Sequence, residues 1–135
     1  MEINTLHLVL DGFGCDYDKL KDFGNVYDFL DKLPDEIGMT KIMQPYVLKW
    51  LDKGNKTEGL TGFVTIAESH LAVHTFPEEA RVYADVFSCK PFSTKQVEEY
   101  FSKSFEPKKM QTRIVRKKDG LQGILELNGG NGTCH

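Results

Sequence analysis

An α+β fold is expected: a two-layer sandwich with a mostly antiparallel sheet and helices on one face. Three observations predict it. Strand-like segments outnumber helical ones, and two helical segments each carry a single apolar stripe. The order β-α-β-β-β-β-α-β lacks the regular βαβ alternation of a parallel sheet. Two amphipathic helices cannot cover both faces of a five- or six-stranded sheet, so the second face is expected to meet a partner subunit.

The elements follow in chain order. INTLHLVL, residues 3–10, reads as the first strand, closed by turn signals in DGFGCD. Val26, Phe29, Leu30, Leu33 and Ile37 share one helical face, with Asn25 as the expected N-cap and Gly38 as the stop. MTKIMQPYVLKW, 39–50, reads as a strand in which Pro45 favours an edge or a bulge. The polar run at 52–59 is expected to be a loop. Strands are expected at about 60–67, 70–76 and 80–89, with a break at Glu68–Ser69. Ser93 and Gln96 can cap a helix whose Val97, Tyr100, Phe101 and Phe105 share a face. MQTRIVRK, 110–117, is the last expected strand, and the Gly-rich end LNGGNGTCH is expected to fray.

A chain of 135 residues fits one domain and can bury a core without a disulfide or metal staple. Its net charge of -3 argues against nucleic acid, and the basic cluster Arg113, Arg116, Lys117, Lys118 reads as a solvated strand end. No apolar run approaches the ~20 residues needed to span a bilayer, and no signal-type N-terminus is present. A soluble, cytoplasmic protein is expected, with its three cysteines Cys15, Cys89 and Cys134 as free thiols.

The stretch ESHLAVHTF, 68–76, breaks the rule for a strand that only packs: Glu68, Ser69, His70 and His74 stand where Val or Thr would serve. A Ser-His-Asp hydrolase is unsupported, because no GxSxG elbow appears and Asp85 has no evident orienting role. Metal binding by His70 and His74 is not expected either. Residues four apart on a strand share a face but sit ~13 Å apart, too far to chelate one ion.

The string ESHLAVHTFPE followed by DVFSC resembles the short bacterial and archaeal form of the S-adenosylmethionine decarboxylase family. TLHLVLDGFGCD, GMTKI and GLTGFVTIA extend the resemblance over roughly residues 4–105. The resemblance implies a self-processing proenzyme, cut between Glu68 and Ser69 into a β chain, 1–68, and an α chain, 69–135. Ser69 Oγ would attack the Glu68 carbonyl, and elimination would leave a covalent pyruvoyl group, the electron sink for decarboxylation. The family assigns the processing base to the position of His74, assisted by a hydroxyl at the position of Thr61, where serine is more usual. It assigns proton donation in turnover to the position of Cys89.

For the substrate, S-adenosylmethionine, the resemblance implies that Tyr46 and Phe76 sandwich the adenine and Glu78 holds the ribose hydroxyls. Phenylalanine and tryptophan are more usual at the two aromatic positions. The implied product is the aminopropyl donor for spermidine synthesis, and the implied assembly is a dimer of αβ units. Two other readings stay open: a pyruvoyl-dependent ornithine or arginine decarboxylase on the same scaffold, and a binding homologue that never processes.

Overall fold

The computed structural model describes residues 5–54 and 56–117 in full and the backbone of 124–132. Seven strands form one open antiparallel sheet: β1 (Thr5–Phe13), β2 (Tyr46–Asp52), β3 (Thr57–Ile66), β4 (Ser69–Phe76), β5 (Arg81–Ser88), β6 (Lys109–Lys117) and β7 (Ile124–Gly132). Their order is β2-β3-β4-β5-β1-β6-β7. Three helices, α1 (Tyr17–Lys21), α2 (Phe23–Glu36) and α3 (Thr94–Phe105), complete the described chain. The expected two-layer α+β sandwich is what the chain forms.

Strict alternation decides which face is covered. In β1 the buried residues are Leu6, Leu8, Leu10 and Gly12; in β5 they are Val82, Ala84, Val86 and Ser88. Of these, Leu8, Leu10, Val82, Ala84 and Val86 share a core with Val26, Phe29, Leu30 and Leu33 of α2 and with Val97, Phe101 and Phe105 of α3. Phe29 is the hub of the helix layer, its ring 5.1 Å from Phe105 and 6.1 Å from Phe101. A Cβ at Gly62 would come within 2.6 Å of Leu30 Cδ1, so glycine lets α2 lie close on β3. The opposite face bears Tyr46, Leu48 and Phe63, each exposed, with polar side chains between them.

Five sequence expectations need correction. Asp22, not Asn25, caps α2 by accepting from the Gly24 N–H at 2.9 Å. Asn25 instead donates to the Lys19 and Ser104 carbonyls and ties the helices together. The expected strand at 39–50 begins only at Tyr46, directly after Pro45, which lacks the N–H a ladder needs. Upstream of it, Lys41 makes an isolated bridge to Ile66, and the Ala67 N–H donates to the Thr40 carbonyl. The first strand continues through Phe13, and the loop expected at 52–59 shrinks to the turn between β2 and β3. Residues 124–132 of the tail pair with β6, while Lys118 and Cys134 lie outside the described residues. Gly38, at φ +73°, does end the helix region, and Ser93 caps α3 through Gln96 N–H. Among the described residues no helix is long and apolar enough to cross a membrane.

Because Phe29 is fully buried against three aromatic rings, Phe29→Ala should cost about 3–5 kcal/mol, a large part of the ~5–15 kcal/mol that holds a domain folded. Urea denaturation checks this. A midpoint no lower than that of an exposed control such as Lys103→Ala would contradict the assigned core.

Candidate active site

The junction between β3 and β4 is a two-residue turn, Ala67–Glu68, because Ile66 pairs directly with Ser69. Glu68 occupies the left-handed region at φ +63°, a conformation that costs a non-glycine residue about 1–3 kcal/mol unless its surroundings impose it. Here they do. The Glu68 carbonyl accepts from the Cys89 N–H at 3.1 Å, and the Ala67 N–H is held by Thr40.

The β4–β5 register sets Ser69 opposite Ser88. The Ser69 hydroxyl donates to Ser88 Oγ at 2.7 Å, and both side chains are buried on the helix-covered side. Ser88 Oγ also accepts from the Lys90 N–H at 2.9 Å. Cys89, the residue between them, is a half-buried free thiol. The Glu68–Ser69 peptide bond, a neighbouring hydroxyl, a backbone donor aimed at its carbonyl and a thiol thus lie at one end of the sheet.

Thr61 and His74 are cross-strand partners on the open face, Thr61 Oγ1 lying 3.1 Å from His74 Nδ1. They are not beside Ser69. His74 is five residues along β4, about 17 Å at strand rise, and the odd spacing turns it to the other face. One protomer therefore brings Thr61 to His74 and Glu68–Ser69 to Ser88–Cys89, but leaves the two groups apart.

A cleft of about 220 Å³ on the open face is lined by His74, Phe76, Glu79, Arg81 and Tyr83. Arg81 is fixed by a two-pronged ion pair with Asp11, at 2.9 and 2.8 Å, which raises its pKa. Burial, then Asp85 and Asp11, push the Tyr83 phenol above its usual range, so it remains neutral beside His74. His70 stacks on Phe87 at 5.3 Å and approaches Asp85 at 3.6 Å, an exposed position away from this cleft.

Two of the substrate contacts implied by the resemblance do not assemble here. Tyr46 sits at the far end of β2 against Phe63, 5.9 Å between rings. The aromatic side chain that reaches Phe76 is Trp50, 5.7 Å away. It crosses above Gly59, where a Cβ would fall 2.5 Å from the indole and 2.2 Å from the Thr75 carbonyl. Glu78 turns toward α1, where its carboxylate meets the Tyr17 hydroxyl at 3.5 Å and lines a separate pocket of about 170 Å³. Its neighbour Glu79 lines the cleft. The single tryptophan of the chain was the available signal for Trp50; Ser88 gave none.

Residues 6–118 match the family described as S-adenosylmethionine decarboxylase. A relative from Clostridium botulinum (strain Hall) named S-adenosylmethionine decarboxylase proenzyme is 32% identical over 129 residues, 93% of this chain and 96% of the relative. Proteins of the same name from Aquifex aeolicus and Thermoplasma volcanium are 28% and 27% identical, each across 90% of this chain, and are covered to 82% and 92% of their own length. With the match running from the first strand to the end of the sixth, the chain belongs to the S-adenosylmethionine decarboxylase family.

Proposed function

We propose that this chain is a proenzyme that cuts itself between Glu68 and Ser69 and then decarboxylates S-adenosylmethionine, supplying the aminopropyl donor for spermidine synthesis. The observation that carries the reading is the junction itself. A left-handed glutamate presents its carbonyl to the Cys89 N–H while the following serine hydroxyl is buried against Ser88. That geometry supports an N-to-O acyl shift. A peptide bond is resonance-stabilised, so attack on it needs a strained carbonyl and a donor on the developing oxyanion.

The steps balance without any co-reactant except water. Ser69 Oγ bonds to the Glu68 carbonyl carbon, the Glu68–Ser69 C–N bond breaks, and the hydroxyl proton ends on the freed amine. A base then removes the Ser69 Cα proton, the Cβ–Oγ bond breaks, and Glu68 leaves as a carboxylate. Tautomerisation and hydrolysis release ammonia and leave pyruvoyl as residue 69. Residue 69 is buried next to the strand end that carries the half-buried thiol of Cys89, and a pyruvoyl group there would supply the electron sink for carboxylate loss. Cys89 would hold the proton returned to the substrate α-carbon, the role of a general acid.

His74 is the base in this reading, helped by Thr61. Because it stands a strand's length from Ser69 on the opposite face, it would act on the junction of a second copy. A dimer that stacks the open faces covers Tyr46, Leu48 and Phe63 and makes such an exchange possible. For the substrate, Phe76 with Trp50 offers stacking surface for adenine and a π-face for the sulfonium. A carboxylate from the turn after Phe76 would hold the ribose, Glu79 from its place in the cleft or Glu78 as the resemblance implies.

Intact mass tests the cut. Wild-type protein should give two chains, and Ser69→Ala one inactive chain; two chains from the mutant would sink the assignment. Carbon dioxide should come from S-adenosylmethionine, and release from ornithine or arginine alone would overturn the substrate. Cys89→Ala should still cleave yet turn over ~10²–10⁴ times more slowly.

The exchange is tested by coexpression. His74→Ala alone should stay whole, but paired with Ser69→Ala chains its Ser69 should be cut; an uncut mixed dimer rules out help from the partner.

Trp50 is the single tryptophan, so S-adenosylmethionine should quench its emission on binding. Trp50→Leu should raise KM about tenfold, the loss of ~1.4 kcal/mol of stacking, whereas Tyr46→Leu should raise it less. Equal or reversed effects would return adenine binding to Tyr46.

A further inference from the structure

We infer that Ser88 is a positioning residue for the nucleophile of self-cleavage, an inference that rests on the processing reading above. Ser88 stands directly across the β4–β5 ladder from Ser69 and is fully buried. Its oxygen accepts from two donors, the Ser69 hydroxyl at 2.7 Å and the Lys90 N–H at 2.9 Å. The second bond anchors Ser88, and the first then fixes Ser69. An unrestrained serine samples three staggered rotamers, and only those that carry Oγ toward the preceding carbonyl can attack. Burial sharpens the restraint, because an unpaired hydroxyl there would cost ~1–3 kcal/mol.

Donation to Ser88 also leaves both lone pairs of Ser69 Oγ unengaged and enriches them as the O–H bond polarises. The same short segment holds the electrophile, since Cys89 donates its N–H to the Glu68 carbonyl. Residues 88–90 thereby grip both reacting atoms. Ser88 is no base, for a hydroxyl holds its proton too tightly at neutral pH. Nor is it transformed: in the acyl shift one C–O bond forms, one C–N bond breaks, and the serine proton moves to the amine. The Ser88 hydroxyl therefore belongs to the first half of processing, before any proton leaves carbon.

The test follows cleavage of the full-length chain from synthesis onward by intact mass, with and without hydroxylamine, which splits an ester but not an amide. Ser88→Ala should cleave about tenfold more slowly, as loss of one neutral hydrogen bond predicts, without accumulating hydroxylamine-sensitive chain. Ser88→Thr, which restores the hydroxyl on a strand-compatible side chain, should recover most of the rate. Ser88→Cys keeps the volume but accepts poorly, so it should be slow while its urea midpoint stays near wild type. Cleavage of the Cys variant at the wild-type rate would overturn the inference. So would slow cleavage with ester accumulating, which would shift the defect to the elimination. A wild-type chain that never cleaves would remove the processing reading along with it.

Discussion

The register of β4 against β5 is the constraint on which the rest of this molecule depends. With Ser69 set opposite Ser88, the carbonyl of Glu68 falls on the Cys89 N–H and the two serine hydroxyls meet. A slip of one residue would send every side chain of β4 to the wrong face, exposing Leu71 and Val73 and burying His70 and His74. The core therefore defends the site. Burying the apolar residues of β4 and β5 under α2 and α3 selects the register, and the register sets the contacts at the strand ends. Neither serine needs a special loop to hold it.

The two faces of the sheet divide the work. On the covered face, packing leaves so little room that glycine is required at Gly62 for α2 to settle. The open face is looser and built from aromatic and charged residues in cross-strand rows: Trp50 over Gly59 to Phe76, and Thr61 beside His74 beside Tyr83. Arg81 and Asp11 lock the middle of this face, so the cleft beside them has a fixed floor. Ordinary residue alternation along β4 sends Ser69 one way and His74 the other.

Much of this was legible in the sequence, and the reasons for success and failure are physical. Alternation along β4 and β5 and the stripe Val26–Phe29–Leu30–Leu33 are period signals, and they located the core, the two longer helices and the layer order, while the short α1 was missed. Glu68, Ser69, His70 and His74 stood out because their types conflict with plain strand packing, whereas Phe76, Glu78 and Cys89 were reached through the family resemblance. What failed were choices between near neighbours. Asp22 and Asn25 are both good caps, and only the backbone path decides between them. Tyr46 and Trp50 both lie on β2 on the same face, but reach is set by cross-strand register, which the sequence does not state. Glu78 and Glu79 diverge because consecutive residues of the tight turn Pro77–Glu79 point in different directions. Ser88 was invisible: a serine ending an apolar strand looks like a boundary until its partner across the ladder is known.

The separation of Ser69 from His74 has a consequence for the order of events on the proposed reading. The acyl shift uses only groups that a single folded chain brings together, namely a strained carbonyl, one backbone donor and two hydroxyls. Proton removal from carbon uses a base that the same chain holds on its other face. Ester and amide can therefore interconvert in a lone protomer, with the buried hydrogen bonds limiting how far the equilibrium moves. The irreversible elimination has to wait for a second copy to arrive. A chain built in this way would complete its cofactor only after assembly, because the fold that positions the nucleophile is the same fold that carries its base out of reach.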